Sequence, residues 1–278
     1  MKRNSTGQTF LWIILLFGTA VFIFPFIFMI SNSFEDFTYV LPNPPRLLPK
    51  EFVLSNYMKV LKGQHIATYF ANSVIITLAT TALGLIISTL SAYGFAKIKF
   101  MGRETLFKIY LFTLMVPGVL SIIPQFGIIN SMGLIGHRAG LILLYTGTGI
   151  CGNTFFLRSF FQALPDEIGE SVVVDGGSHF TIYSKIIVPL SKAGIATLSI
   201  LTIQGTWDDF FTAKVILGSN NSVLTLPVMV QRLHGQFATK WGLVFAAAIL
   251  MLVPILVLYI AFQKYFVVGG LTEGGIKM

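Results

Sequence analysis

Long runs of apolar residues, separated by shorter polar segments, dominate the pattern along this chain. Six of these runs provide the roughly 20 residues that a helix needs to cross the hydrocarbon core of a bilayer. They cover approximately residues 10–30, 70–92, 106–129, 139–161, 193–216 and 242–262. None alternates strictly between apolar and polar residues, and each is too long for a barrel strand. The pattern therefore predicts an all-α, polytopic membrane protein with six transmembrane helices in one domain covering residues 1–278.

Composition and charge support a membrane protein and narrow its contacts. Charged residues make up 11% of the chain, against about 25% in soluble domains. The single cysteine, Cys151, has no partner in the chain for a disulfide bond. The net charge of +8 is spread singly or in small groups and forms no basic stripe. That distribution predicts contact with anionic membrane lipid and no binding of nucleic acid.

The basic residues also predict the orientation in the membrane. The first run follows MKRNSTGQ, is longer than the apolar core of a signal peptide and continues with apolar residues after Pro25, so we expect an uncleaved first helix. Placing both termini in the cytoplasm puts eleven of the nineteen Lys and Arg residues on that side. Residues 31–69 and 217–241 then lie outside. They are either solvated connections or contact surfaces for an external partner.

Residues 164–189, between the fourth and fifth runs, form a patterned polar insert, here named the 164–189 insert. Leu164, Ile168 and Val172 fall on one apolar stripe of a helix that is too short and too charged to span a bilayer. Pro165 suits the first turn of that helix, and Gly176-Gly177 suits its end. The insert therefore projects a short amphipathic helix on the side of the N-terminus.

A second short helix follows the glycine pair. Ser178 can cap it, and Pro189 is expected to end it just before the fifth run. The first helix carries four acidic residues and no Lys or Arg, which anionic headgroups would repel. These four are Asp166, Glu167, Glu170 and Asp175. The pattern therefore favours docking to a protein over binding to a lipid surface.

The insert resembles the EAA loop of the permease subunits of bacterial ATP-binding-cassette importers. Glu170, Gly176, Ile186 and Pro189 match that motif in residue type and spacing. Ser171 and Val172 replace its usual alanines, and Val188 stands where leucine is common. Four further stretches are similar to the sugar-importer permeases of the maltose type, and the tail and the short N-terminus resemble the smaller of the two permeases. These stretches are Asn72-Ser73, residues 207–210, residues 224–227 and residues 263–277.

The resemblance implies a set of partners and a place in the cell. It implies a second, different permease, an ATPase dimer on the cytoplasmic side and an extracytoplasmic sugar-binding protein. ATP and Mg²⁺ would be bound by the ATPase, and this chain would bind no cofactor. The chain would be a multi-pass protein of the bacterial inner (cytoplasmic) membrane. Contacts with the ATPase would come from the following residues: Glu170, Val172, Val173, Asp175, Gly176, Gly177 and Pro189.

Two adjacent carboxylates in the fifth run are candidates for the substrate path. Asp208 and Asp209 are costly within a span and, with Gln204 and Trp207, offer hydrogen-bond acceptors and an aromatic face to a sugar. Asn153 in the fourth run is a further candidate. Alternatively, the carboxylates lie at the membrane interface or pair with the partner permease.

Other signals are weaker or exclude a function. GTGICG (residues 147–152) matches GxGxxG in letters only, because it lies inside an apolar run, where small residues serve helix packing. The chain has no GxxxxGK[ST] motif, and its four histidines form no cluster along the sequence. The sequence therefore predicts a transport subunit and not an enzyme. The alternative is a self-sufficient secondary transporter or channel; the sugar itself is not specified.

Overall fold

The computed structural model describes residues 5–35, 47–49, 51–63, 66–234 and 239–274, and no strand occurs among them. The helices follow one another along the chain. They are α1 (Ser5–Ser33), α2 (Ser55–Lys62), α3 (Ile66–Lys97), α4 (Arg103–Phe112), α5 (Ile122–Ser131), α6 (Arg138–Gln162), α7 (Glu167–Val174), α8 (His179–Ile182), α9 (Val188–Leu190), α10 (Lys192–Asp208), α11 (Phe211–Leu217), α12 (Leu226–Arg232) and α13 (Trp241–Gly274). The prediction of an all-helical chain is confirmed for these residues.

Four of the helices are long and apolar enough to cross a membrane. They are α1 from Gly7, α3, α6 and α13 as far as Gln263, and they contain the first, second, fourth and sixth predicted spans. A fifth candidate is a pair of helices, His179–Leu190 and Lys192–Asp208, with a bend of 76° between them. Among the described residues, four or five spans are therefore continuous or nearly so, against six predicted.

The third predicted span, residues 106–129, is not one helix. It consists of α4, a 3₁₀ turn at Thr113–Met115, a non-helical connection and α5. Pro117 accounts for the break, because its ring disfavours the α conformation of the preceding residue. Val116 accordingly has an extended backbone, with φ −81° and ψ 119°. Each of the two helices has ten residues, about half of what a single crossing needs.

The fifth predicted span, residues 193–216, is also interrupted. The helix α10 ends at Asp208 after 17 residues, Asp209 is extended with ψ 115°, and α11 begins at Phe211. The carboxylate of Asp209 accepts a hydrogen bond from the backbone N–H of Thr212 at 3.1 Å. An aspartate satisfies a free N–H at a helix start in this way, so the carboxylate stabilises the break.

The chain divides into two compact units, Met1–Ala67 with Met229–Pro254, and Thr68–Val228 with Ile255–Met278. In the first unit, Val60 of α2 packs against Ala246 and Ala247 of α13. The side-chain amide of Asn56 donates to the carbonyls of Ser33 and Glu35 at 3.0 and 2.8 Å, which holds α2 to the end of α1.

The core of the second unit lies where the 164–189 insert meets three long helices. Leu157 and Phe161 of α6 are fully buried there. They pack together with Tyr93 of α3, Leu198 of α10 and Ile182 of the insert. The insert is therefore part of a shared hydrophobic core and not a free loop, which defines one face of the candidate site.

Candidate functional site

The first helix of the insert, α7, ends in the geometry that its glycines predict. Gly176 adopts φ +81°, in the left-handed region. Its N–H donates to the carbonyl of Val173 at 3.0 Å, and the N–H of Gly177 donates to the carbonyl of Val172 at 2.8 Å. These two bonds form a Schellman motif, which satisfies the last carbonyls of a helix. The prediction that the glycine pair stops α7 is confirmed, and α7 begins at Glu167, two residues after Pro165.

The second helix begins as predicted but continues further. Ser178 Oγ accepts a hydrogen bond from the N–H of Thr181 at 3.3 Å and caps α8. A π-helical turn, Tyr183–Ile187, then joins α8 to α9. The break that Pro189 predicts before the fifth run is present but lies slightly later, because Pro189 is accommodated in α9, which ends at Leu190. The helix breaks at Ser191, with φ −94° and ψ 18°.

The inward and outward faces of α7 separate its three valines. Leu164 and Val172, two of the three residues of the predicted apolar stripe, pack against the buried core of the second unit. Val173 and Val174 are 54% and 86% exposed. Val172, a candidate contact for the ATPase, therefore faces the core of the second unit, while Val174 lies on the outward face. A run of three consecutive valines indicates this in advance, because helical geometry cannot place all three on one side.

The outward face of the insert is acidic and partly apolar. Glu170, Asp175 and Gly176 are exposed, and Gly177 and Pro189 are half-buried. Phe180 of α8 is also exposed, at 69%. No Lys or Arg lies in α7. The face therefore offers carboxylates around apolar side chains, which suits a basic groove on another protein.

Three polar side chains along one face of α3 hold the insert. Thr89 Oγ1 lies 2.8 Å from the hydroxyl of Tyr183, and the hydroxyl of Tyr93 lies 3.3 Å from His179 Nδ1. One turn further along, Lys97 Nζ donates to the carbonyl of Leu164 and to Asp166 Oδ1, both at 2.6 Å. Residues four apart lie on the same side of a helix. We name these three residues, Thr89, Tyr93 and Lys97, the α3 anchors.

The sequence analysis did not identify the α3 anchors. The signal available was a polar side chain at every fourth position near the end of an otherwise apolar run. Their partners lie far away along the chain, so pairing them required the fold. The hydrogen bond and charge of Lys97 also hold the pKa of Asp166 below its ordinary value, which keeps that carboxylate charged.

A second ionic contact lies at the start of α4. Arg158 of α6, almost completely buried, donates to Glu104 Oε1 at 2.6 Å. Its guanidinium also lies 3.8 Å from the centre of the Phe107 ring, a cation–π contact. The start of α4 is therefore attached to α6, next to the insert.

The opposite end of α3 is also fixed by hydrogen bonds. The Asn72 side-chain amide donates to the carbonyls of Ser222 and Leu224 at 3.0 and 2.9 Å. Ser73 Oγ accepts from the N–H of Leu226 at 2.9 Å. Two of the stretches singled out in the sequence, Asn72-Ser73 and residues 224–227, therefore contact each other. They fix the start of α3 to the segment before α12.

Two cavities meet beside Asp209. A groove of about 830 Å³ runs between the connection after α4 and the helices α6 and α11. A smaller cavity of about 230 Å³ lies between α3, α6 and α10. Asp209 and Tyr145 line both, and Asn153 lines the smaller one. The structure thus brings together two of the five residues predicted for a substrate path.

The other three path candidates line neither cavity. Trp207 is buried, with its ring edge-to-face against Phe70 at 5.9 Å between centres. Gln204 and Asp208 are exposed. Asp208 is the last residue of α10 and Asp209 lies in the break that follows, so the two side chains project in different directions and have different neighbours. Within the described residues, no group of three His, Cys, Asp or Glu side chains could hold a metal ion.

Comparison with known proteins identifies the family. Residues 84–267 match the family described as binding-protein-dependent transport system inner membrane component. The chain belongs to this family. It is therefore a permease component of a transport system in an inner membrane, and the resemblance noted in the sequence is confirmed. Family membership also argues against a self-sufficient transporter and against a membrane enzyme.

Relatives of the permease match it over nearly its full length. It is 32% identical to the sulfoquinovosyl glycerol transport system permease protein SmoH of Agrobacterium fabrum, over 92% of this chain and 89% of that one. It is 30% identical to the arabinooligosaccharides transport system permease protein AraQ of Halalkalibacterium halodurans, over the whole of both chains. The fold is that of a chain in the crystal structure of a bacterial ABC transporter that imports the acidic polysaccharide alginate. The TM-score is 0.82 at 22% identity, covering 96% of the permease and 99% of that chain.

Proposed function

We propose that the permease forms one half of the translocation path of an ABC importer for a sugar, with a second, different permease as the other half. An extracytoplasmic binding protein delivers the sugar, and a separate ATPase dimer, which binds ATP and Mg²⁺, supplies the energy. The names of two relatives support the substrate class, because one names sulfoquinovosyl glycerol and the other arabinooligosaccharides as the transported compound. The family description supports dependence on a binding protein. The permease itself supplies no catalytic group.

The observation that carries this proposal is the construction of the 164–189 insert. Its inward face belongs to the core of the second unit, and its outward face presents carboxylates with Val173, Val174 and Phe180 exposed. An apolar patch on a membrane protein outside its spanning helices indicates a binding surface for another protein. We assign this face to the ATPase. Glu170 would pair with a basic group there, and Val173 would supply apolar contact.

The proposal includes a membrane topology. We propose six crossings, of which the third is α4 with α5 and the fifth is α10 with α11, both as broken helices. Interrupted helices are tolerated in a membrane where protein or a cavity surrounds the free backbone groups. Both breaks lie beside the 830 Å³ groove, since Val116 and Asp209 line it. The proposed orientation places both termini and the insert in the cytoplasm of a bacterial cell.

The first test is recovery of the complex. A tagged permease, extracted in mild detergent, should co-purify with a second permease and an ATPase, and the complex in liposomes should import sugar when ATP and the binding protein are supplied. The proposal would be contradicted if the permease were recovered alone and in good yield from membranes that are active in transport.

A second test addresses the insert itself. Gly176 has open space around an added side chain, but its φ of +81° disfavours any residue with a Cβ, so Gly176→Val strains the corner between α7 and α8. Gly133 provides the control, because it has φ +69°, similar space and a position between α5 and α6. We expect Gly176→Val to reduce both ATPase association and transport, and Gly133→Val to retain ATPase association. Equal behaviour of the two variants would remove the insert from the docking surface.

A further inference from the structure

The two cavities beside Asp209 together have the size of a ligand site. Small-molecule sites in proteins occupy about 300–1,000 Å³, and the groove alone has about 830 Å³. The 230 Å³ cavity adjoins it through residues common to both linings, Tyr145 and Asp209. The permease therefore has, within its second unit, a space of sufficient volume to hold part of an oligosaccharide.

The polar groups that line this space are suited to hydroxyl groups. Gln125, Thr148 and Thr212 line the groove next to apolar residues such as Leu114. The smaller cavity has Thr80 among its lining residues, together with Thr146 and Asn153. Short neutral donors and acceptors next to apolar side chains match a sugar ring, which has hydroxyl groups at its rim and C–H groups on its faces.

Two of these groups have hydrogen-bonding capacity that the chain leaves unused. Thr80 and Thr146 are 2% and 5% exposed, and neither hydroxyl has a hydrogen-bond partner among the described residues. A buried polar atom without a partner is uncommon and calls for a water molecule or a ligand. Both threonines line the 230 Å³ cavity, so a ligand or water there would satisfy them.

The charge of the lining distinguishes between classes of sugar. Among the residues that the structure describes, Asp209 is the only charged one that lines either cavity, and no Lys or Arg is found with it. A carboxylate accepts hydrogen bonds from sugar hydroxyls strongly, and it repels a carboxylate or sulfonate on a ligand at short range. We propose that these cavities are a binding site for a neutral sugar, in which Asp209 accepts a hydrogen bond from a hydroxyl group and disfavours acidic sugars.

This inference rests on the proposed function and adds a substrate class to it. It also predicts a difference from the alginate importer, whose substrate is named as an acidic polysaccharide, and from SmoH, whose named substrate carries a sulfonate group. The specificity is a property of this subunit's own lining, so it can be measured separately from the specificity of the binding protein.

Cys151 provides a built-in reporter. It is the only cysteine of the chain, and it lines the same groove. In the purified complex without binding protein, labelling of Cys151 by N-ethylmaleimide can be followed by mass spectrometry of its peptide. The probes are two neutral trisaccharides, maltotriose and arabinotriose, and the acidic trigalacturonate. We expect a neutral trisaccharide to slow labelling at concentrations at least tenfold below those needed for trigalacturonate.

Two adjacent substitutions form a matched pair for the charge. Asp209→Asn removes the negative charge of this carboxylate from the lining and should narrow the preference for the neutral probe by about tenfold. Asp208→Asn removes the neighbouring carboxylate, which lines neither cavity, and should retain the preference. A larger effect of Asp208→Asn, or equal protection by trigalacturonate and the neutral probes, would overturn the inference.

A parallel uptake measurement separates this inference from the proposed function. If the complex imports a sugar with its binding protein, but no neutral trisaccharide protects Cys151, the site is refuted and the importer function remains. If the assembled complex imports no sugar at all, the proposed function fails and the inference fails with it. Import of a neutral sugar together with protection by its trisaccharide supports both.

Discussion

Replacement of Lys97 by methionine would test whether the α3 anchors hold the 164–189 insert in place. Lys97 Nζ donates to the carbonyl of Leu164 and to Asp166, both at 2.6 Å, and its side chain is only 10% exposed. Methionine retains most of the apolar stem and removes the ammonium group. Asp166→Asn provides the comparison, because it removes the charge of the partner and leaves the bond to Leu164 intact.

The two contacts of Lys97 contribute unequal free energies to the attachment of the insert. A hydrogen bond from a charged group to a carbonyl contributes about 1.5–3 kcal/mol. The ion pair is worth less, roughly 0.2–1 kcal/mol, because Asp166 is 67% exposed and solvent screens the interaction. We therefore expect Lys97→Met to weaken the attachment of the insert to α3 by about 2 kcal/mol. The corresponding loss for Asp166→Asn should be below about 1 kcal/mol.

Hydrogen exchange of the backbone amides in α7 measures this attachment directly. A loss of about 2 kcal/mol corresponds to about 30-fold faster exchange if α7 exchanges by opening away from α3. The number of sugar molecules imported per ATP hydrolysed should fall in parallel. Lys108→Met is the control, because Lys108 is an exposed lysine on α4 outside these contacts. Unchanged exchange in Lys97→Met, or an equal effect of Asp166→Asn, would refute the reasoning.

Two further substitutions test the local geometry. Asn72→Ala removes the amide that donates to the carbonyls of Ser222 and Leu224, and the carbonyl of the buried Leu224 loses that donor. We expect the free energy of unfolding to fall by about 1–3 kcal/mol, measured as a lower Tm in detergent; an unchanged Tm would contradict this. Gly177→Ala places a Cβ against the Val172 side chain and 2.9 Å from the carbonyl oxygen of Val172. The C-terminal turn of α7 should therefore lose protection from hydrogen exchange. Protection equal to that of the unmodified chain would show that the Schellman motif tolerates a side chain there.

The parts of the fold that depend on local physics could be predicted from the sequence. The long helices follow from the length of their apolar runs, and the end of α7 follows from Gly176, which adopts the left-handed conformation there. The cap of α8 by Ser178 is equally local. In each case the residue and its partner lie within a few positions of each other, so the pattern alone contains the relevant interaction.

The breaks in the third and fifth runs could not be predicted from hydropathy. Apolar residues continue on both sides of Pro117 and of Asp209, and a hydropathy pattern does not distinguish one helix from two helices with a corner. The break in the fifth run also decides which of the two aspartates lines the candidate path. Asp209 lines the cavities because α10 ends before it, whereas Asp208, the last residue of α10, does not.

Long-range contacts were the other part that the sequence left open. Two recognised stretches, Asn72-Ser73 and residues 224–227, gave no sign that they bind each other across 152 positions. The α3 anchors likewise required the fold, because Tyr93 and His179 lie 86 positions apart. Such pairs form only after the helices pack together, so no local pattern identifies them.

The contacts near its two ends attach α3 to the 164–189 insert on one side and to the segment before α12 on the other. Asn72 and Lys97 are 25 positions apart, which corresponds to about 38 Å along a helix, and this distance exceeds the roughly 30 Å of the hydrocarbon core. A helix resists extension, so a displacement of the insert must move α3 or break the contacts of Lys97. If α3 carries the displacement to the segment that Asn72 binds, detaching either end already interrupts the transfer. We therefore expect the double variant Lys97→Met/Asn72→Ala to lose no more import per ATP than the more severely affected single variant. If the two losses multiply, as for independent sites at this distance, α3 is a passive support and the movement passes through the covalently attached α10.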